Sequence, residues 1–261
     1  MGSAPNPLHR QPRNGALMKP SATAPSTPSH ARLAGLLYLI PMFLGPFSMM
    51  YVPSAIVSPG DAATTVTQLL ASERLFRVGM LSDALIVVSE LALTAVLYFL
   101  LRPAGRTLAL TAMLARLGMT VLQAANLLPE LAALELAHAV GPAAGGVLEP
   151  AQAAELVLLS LRLHDLAALV WQIPFGLHCA VVAALVFRSG FLPRSLGVLM
   201  AIAAVGYTLN GLGTLVLPGS APTFAAIVGL TALVGEVPFV FWLLFKGVDE
   251  TRWQSEEQRA Q

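Results

Sequence analysis

Six apolar stretches, each of about 20 residues or more, lie between residues 31 and 248, and no other feature restricts the fold as strongly. A helix rises ~1.5 Å per residue, so each stretch can cross a hydrocarbon core of about 30 Å. Spans are predicted at 32–52, 76–101, 107–128, 163–187, 195–217 and 224–246. Only 11% of the residues are charged and 56% are hydrophobic, whereas a soluble domain carries about 25% charged residues. Inside a bilayer each backbone polar group must be satisfied within its own segment. The predicted fold is therefore all-α: a polytopic transmembrane bundle of six spans.

The flanks read differently. Residues 1–30 carry prolines at 5, 7, 12, 20, 25 and 28 among Ser, Ala and Thr. Such a segment buries too little apolar area to offset its ordering entropy, and it is predicted to be a disordered arm. Met18 is an alternative initiator within it. Residues 31–248 form the transmembrane domain and 249–261 a polar tail. A cleaved signal peptide is not expected, because the first apolar run follows a long polar arm and lacks a small-residue cleavage site. Asn6 breaks the myristoylation pattern. The one cysteine, Cys179, sits in an apolar run, which excludes an intramolecular disulfide and a cysteine-built metal centre. A net charge of +1 gives no basis for nucleic-acid binding.

Two connections carry structure of their own. Ser58-Pro59-Gly60-Asp61 reads as a turn ending in a helix N-cap, followed by a short amphipathic helix over 62–73 at the interface. The longer connection, 129–162, holds the turn signals Gly141-Pro142 and Gly145-Gly146. A helix starting beyond Pro150 and running through the fourth span would be about 55 Å long, so part of it lies outside the hydrocarbon.

Basic residues set the expected orientation. Arg10, Arg13, Lys19 and Arg32 precede span one, and Arg102 and Arg106 join spans two and three. Arg188 and Arg194 join spans four and five, and Lys246, Arg252 and Arg259 follow span six. With six spans all of these fall on one side, which places both termini in the cytoplasm.

Charged and titratable residues deep in the spans are costly and usually face the bundle interior. On span two, Asp83, Val87, Glu90 and Thr94 share one helical face. Span three carries Arg116, Thr120, Gln123 and Glu130, with Asn126 a turn along. Span four carries His164, Trp171 and His178 on one row and Asp165, Gln172 and Cys179 on the next. Span five offers Tyr207 and Asn210, and span six Glu236. Helix rise puts Glu90 and Glu236 roughly 20 Å from one membrane face and Arg116 roughly 15 Å from the other. These three can meet near the midplane, with His178 just below, and Arg116 has two candidate acidic partners, Glu90 and Glu236. A second layer nearer the outer face would gather Arg77, Asp83, Asn126, Glu130, Arg162, His164 and Asp165. The bland alternative is a helix clamp, in which buried pairs only fix helix register. Asn210, Gln123 and Gln172 are expected to bond between helices. Pro174 and Pro238 kink spans four and six beside polar residues; Pro41 and Pro46 disturb span one with nothing polar nearby.

Zinc-protease, phosphate-loop and serine-hydrolase signatures are absent. The two histidines within spans, His164 and His178, lie 14 residues apart on one helix. They cannot share one metal, and a metal site would need carboxylates as well, so neither a metal nor another cofactor is expected.

Several stretches together resemble a known family. They are Arg32-Leu33-Ala34-Gly35-Leu36-Leu37-Tyr38, Phe76-Arg77-Val78-Gly79 with Ser82-Asp83, Phe175-Gly176-Leu177-His178-Cys179, Arg188-Ser189-Gly190-Phe191-Leu192-Pro193-Arg194, Gly206-Tyr207 and Glu236. The chain is similar over residues 31–248 to the bacterial integral membrane family called domain of unknown function 4386. The resemblance implies a six-helix protein of the bacterial inner membrane with no settled activity. It draws attention to Arg77, Asp83, His178 and Glu236. Span four departs from the family pattern at Trp171-Gln172-Ile173-Pro174.

The reading that follows is a small-molecule or lipid ligand held at an intramembrane polar layer, with proton-linked transport as one form of it. Its candidate residues are Arg77, Asp83, Glu90, Arg116, His164, Asp165, His178 and Glu236. A second reading is an intramembrane lipid-modifying enzyme using His178 with Asp83 or Glu236. A third is an accessory subunit that meets a membrane-protein partner through Gly197, Ala201, Gly206 and Gly213 on span five. The lipid bilayer is a partner in all three.

Overall fold

The computed structural model describes residues 27–139 and 149–259. Most of the predicted arm, Met18 included, and the glycine turn signals at 141–146 lie outside them. The described residues are helical, with no strand among them. Six helices are long and apolar enough to cross a membrane: α1 (Thr27–Ile56), α3 (Glu73–Ala104), α4 (Arg106–Ala139), α5 (Pro150–Ser189), α6 (Arg194–Val216) and α7 (Pro218–Phe245). Two shorter helices complete the fold, α2 (Ala62–Ala71) and α8 (Glu250–Arg259). The chain is a multi-pass membrane protein, and the predicted count of six spans holds.

Chain neighbours pack side by side around a ring, and α7 closes it against α1. Short connections between antiparallel helices produce this order. Where α1 and α7 meet, the approach is close. A Cβ on Gly35 would lie 2.7 Å from the backbone nitrogen of Leu244. Backbone cannot yield as a side chain can, so Gly35→Ala should cost about 1–3 kcal/mol, read as a lower unfolding midpoint in detergent.

The apolar core is split. One cluster, at the end where α1 begins and α8 packs, includes Leu97, Leu100, Val182, Phe191, Phe239 and Leu243. The other, at the far end, includes Ile56, Val66, Leu69, Phe76, Leu134 and Val157. The polar residues of the spans lie between the two.

Several elements differ from the sequence reading for local reasons. α1 is described from Thr27, and residues 27–30 are helical. α4 runs on to Ala139 but turns at Asn126. Pro129 supplies no N–H for the Ala125 carbonyl, so the ladder is interrupted there. α5 is one helix of 40 residues, about 60 Å long and twice the hydrocarbon thickness. Its N-terminal half packs against the end of α4 and against α2. Asp61 caps α2 as expected, accepting from Thr64 N at 2.9 Å. The Thr64 backbone N–H and hydroxyl together hold the Asp61 carboxyl below the usual carboxylate range.

The polar tail is helical over Glu250–Arg259. Trp253 is buried, lies tilted against the Phe99 ring with centroids 5.5 Å apart, and donates its indole N–H to the Leu100 carbonyl at 2.8 Å. Arg102 Nη2 meets Glu257 Oε1 at 2.6 Å. Arg252 Nη1 donates to the Gly190 carbonyl, where φ of +63° lets the chain leave α5. α8 thus buckles two inter-helix turns to the last span. Trp253→Ala should release it, speeding tryptic cleavage at Arg252 many-fold while the midpoint of the six-helix bundle moves little.

Candidate functional site

A cavity of about 500 Å³ occupies the polar zone between the two apolar clusters. Its walls come from α1, α3, α4, α5 and α7, with Tyr207 from α6. Met49 and Met50 on α1 and Leu233 on α7 line it and are also exposed on the outer surface of the bundle. The cavity therefore opens sideways between α1 and α7, through apolar side chains.

Its floor is polar. Arg116 is 1% exposed and Glu90 4%, and Arg116 Nη2 lies 2.7 Å from Glu90 Oε2. Of the two candidate partners for Arg116, Glu90 is the one in contact. Nη1 of Arg116 donates to Tyr38 Oη at 3.1 Å and to His178 Nε2 at 3.0 Å. The guanidinium also lies 4.8 Å from the Tyr38 ring centroid and 5.5 Å from that of Phe175, within cation–π range. Tyr38 did not stand out in the sequence, because one tyrosine in an apolar run carries no spacing signal.

His178 is held on both ring nitrogens. Nε2 accepts from Arg116, so Nδ1 carries the proton and donates to the Ala112 carbonyl at 2.8 Å. It lies behind Arg116 and does not line the main cavity. Its pairing with Asp83 or Glu236 for acid–base chemistry is not assembled, since its two bonds are used elsewhere.

Glu236 faces the cavity and accepts from Tyr207 Oη at 2.5 Å. Asn210 donates to Gln172 Oε1 at 2.7 Å, bridging α5 and α6 as the sequence suggested. Gln123 also reaches the cavity, and its Oε1 has no hydrogen-bond partner among the described residues. Asp83 lies further out on α3 and accepts from Ser48 Oγ at 2.6 Å. Ser48 belongs to a π-helical turn, Phe47–Tyr51, directly after Pro46. The expectation that nothing polar accompanies the α1 prolines is thus corrected. Pro46 and the π-turn aim a hydroxyl inward, and Asn210 sits in a second π-helical turn, Leu209–Gly213. Irregular turns of this kind recur at functional sites in helices.

The predicted outer layer assembles in part. Asp83, Asn126 and His164 line the cavity. Arg77 does not; it is exposed and pairs with Glu73 at 2.6 Å on its own helix. Asp165 is exposed on α5 and also lies off the cavity wall. The position next to His164 turns it about 100° around the helix.

The small residues of span five pack within the chain. A Cβ on Gly206 would fall 1.8 Å from Thr231 Oγ1, one on Gly213 2.9 Å from Phe224, and one on Gly197 3.2 Å from the Ala183 carbonyl. These contacts join α6 to α5 and α7, so the glycines offer no open face to another protein.

Among known proteins, an uncharacterized protein of the archaeon Archaeoglobus fulgidus is 28% identical over 168 residues, covering 62% of this chain and 80% of that protein. No solved structure matches the chain. Residues 33–247 match the family described as Domain of unknown function (DUF4386).

Proposed function

Because the chain belongs to the DUF4386 family, whose description assigns no activity, we propose a function from the cavity's own chemistry: binding of a lipid or small amphiphile within the membrane. The observation that carries this reading is an apolar side opening joined to a buried polar floor. A tail would lie along Met42, Met49 and Leu233, and the head would reach Glu236 and Gln123. Three carboxyls line the cavity, Asp83, Glu90 and Glu236, against one guanidinium, Arg116. Arg116 is already engaged by Glu90, Tyr38 and His178. The floor therefore favours a head that donates hydrogen bonds or carries positive charge, such as an amine. The basic-residue pattern supports a cytoplasmic membrane with both termini on the cytoplasmic side.

Gly229 provides the test. It lines the cavity, and a Cβ added there meets no atom within 4 Å. Gly229→Phe should fill the cavity without straining the bundle. Trp171, also on the wall, reports occupancy. In nanodiscs, a long-chain amine brominated along its tail should quench Trp171 in the parent protein. With Trp242 replaced by Phe, Gly229→Phe should reduce that quenching at least tenfold at the same unfolding midpoint, and Trp171→Phe should leave only the contribution of Trp253. Equal quenching with and without the Phe would overturn the reading.

A further inference from the structure

At one end of the cavity, three helices converge on a cluster of which the amphiphile reading uses only Asp83, as one of the carboxyls lining the cavity. Asp83 on α3, Glu130 on α4 and His164 on α5 each place one ligand atom within 4.8 Å of the other two. Glu130 is 7% exposed and Asn126, one turn before it, 6%. Asp83 Oδ2, Glu130 Oε2 and Asn126 Oδ1 are all buried without a hydrogen-bond partner among the described residues. Orphaned buried acceptors are costly and rare in native proteins. Two of them belong to the cluster around the His164 imidazole, whose Nδ1 lies 3.9 Å from Glu130 Oε1, and no Lys or Arg pairs with either carboxylate among the described residues.

The surroundings hold this cluster in place. Asn126 Nδ2 donates to the His164 carbonyl at 3.1 Å, and His164 Nδ1 lies 3.1 Å from the Asn126 carbonyl. This reciprocal clamp sits where α4 turns at Asn126, and it fixes the amide so that Oδ1 is left over. Asp83 is fixed by Ser48 Oγ on its other oxygen, Oδ1. The carboxylates and the imidazole are each oriented by an outer hydrogen bond or by burial, as metal ligands usually are.

We propose that Asp83, Glu130 and His164 bind a first-row divalent cation, with Asn126 Oδ1 as the nearby neutral oxygen. Two carboxylates, an imidazole and an amide form a mixed nitrogen–oxygen set suited to Zn²⁺ or Mn²⁺ rather than to a soft, thiolate-seeking ion. Ligands about 2.1 Å from zinc are about 3.4 Å apart, so side-chain rotations of about an ångström close the site around the ion. The expectation of no metal rests on the two histidines of one helix, which could hold one only with carboxylates added from elsewhere. Here carboxylates from two other helices complete the set. The cation would pin α3, α4 and α5 together at the outer mouth of the cavity. The proposal does not depend on the amphiphile reading.

The test uses the full chain, purified without a histidine tag and stripped with chelator. Zinc chloride alone should bind with one equivalent by calorimetry and raise the unfolding midpoint. Glu130→Gln and Asp83→Asn should each weaken binding at least tenfold. The exposed Glu73–His138 pair, 3.0 Å apart, is the competing surface site, and Glu73→Gln should leave binding unchanged. X-ray absorption of the zinc-loaded parent should show one imidazole among oxygen ligands, and this readout needs no variant to fold. Absence of saturable zinc or manganese binding in the parent overturns the proposal. So does affinity that Glu73→Gln abolishes while Glu130→Gln and Asp83→Asn leave it unchanged.

Discussion

Arg116→Met is expected to destabilise the protein by about 3–5 kcal/mol, because it leaves Glu90 as a buried carboxylate without its cation. The same substitution removes the donor to Tyr38 and to His178. His178 would then keep only the Ala112 carbonyl as a partner. Van der Waals volume is nearly kept, so loss of packing is a minor part. Glu90→Leu should behave similarly, stranding the guanidinium. The double variant, Arg116→Met with Glu90→Leu, should recover most of the loss, since two apolar side chains replace the buried pair without orphans. Reversible unfolding of the four proteins in detergent gives the coupling directly. If the single variants unfold like the parent, the ion pair is hydrated from the cavity and does not clamp the bundle.

Glu236→Gln is expected to separate binding from stability. The Gln side-chain oxygen still accepts from Tyr207, so the unfolding midpoint should stay near that of the parent. A charge-assisted hydrogen bond to an amine head contributes about 1.5–3 kcal/mol. Its loss corresponds to about a 10- to 100-fold weaker Kd for the brominated amine. Tyr207→Phe should have a smaller effect, because it removes a neighbour of the carboxylate and not the carboxylate. An uncharged analogue with a hydroxyl head should discriminate much less between the parent and Glu236→Gln. Equal amine affinity in the parent and in Glu236→Gln would mean that the head is held elsewhere, and the assignment of Glu236 would fail.

These two expectations separate roles that look alike in the sequence. Glu90 and Glu236 are both acidic residues deep in apolar runs, and helix rise puts them at similar depth. Periodicity shows which residues share a helix face, but not which of two carboxylates on different helices a guanidinium selects. That choice depends on helix rotation and on the distance between neighbours. It left Arg116 on Glu90 and Glu236 on Tyr207.

The spans, their number and the polar character of their inner faces were legible because the bilayer imposes them through length and composition alone. The Asp61 cap was legible for a similar reason, since it follows from residue type and local position; that Asn210 and Gln172 bond between helices was expected, but not that they bond each other. Contacts between distant segments were not legible. Trp253 is one aromatic residue in a polar tail, and only the approach of α8 to Phe99 and Leu100 gives it a role. Gly206 reads as a face for a partner until Thr231 is found against it. Asp83, Glu130 and His164 are separated by 47 and 34 positions, spacings with no local meaning. They meet because the ring of helices brings α3, α4 and α5 together at one height. Hydrophobic length is a property of each segment, but the site depends on how the segments are rotated and shifted against one another.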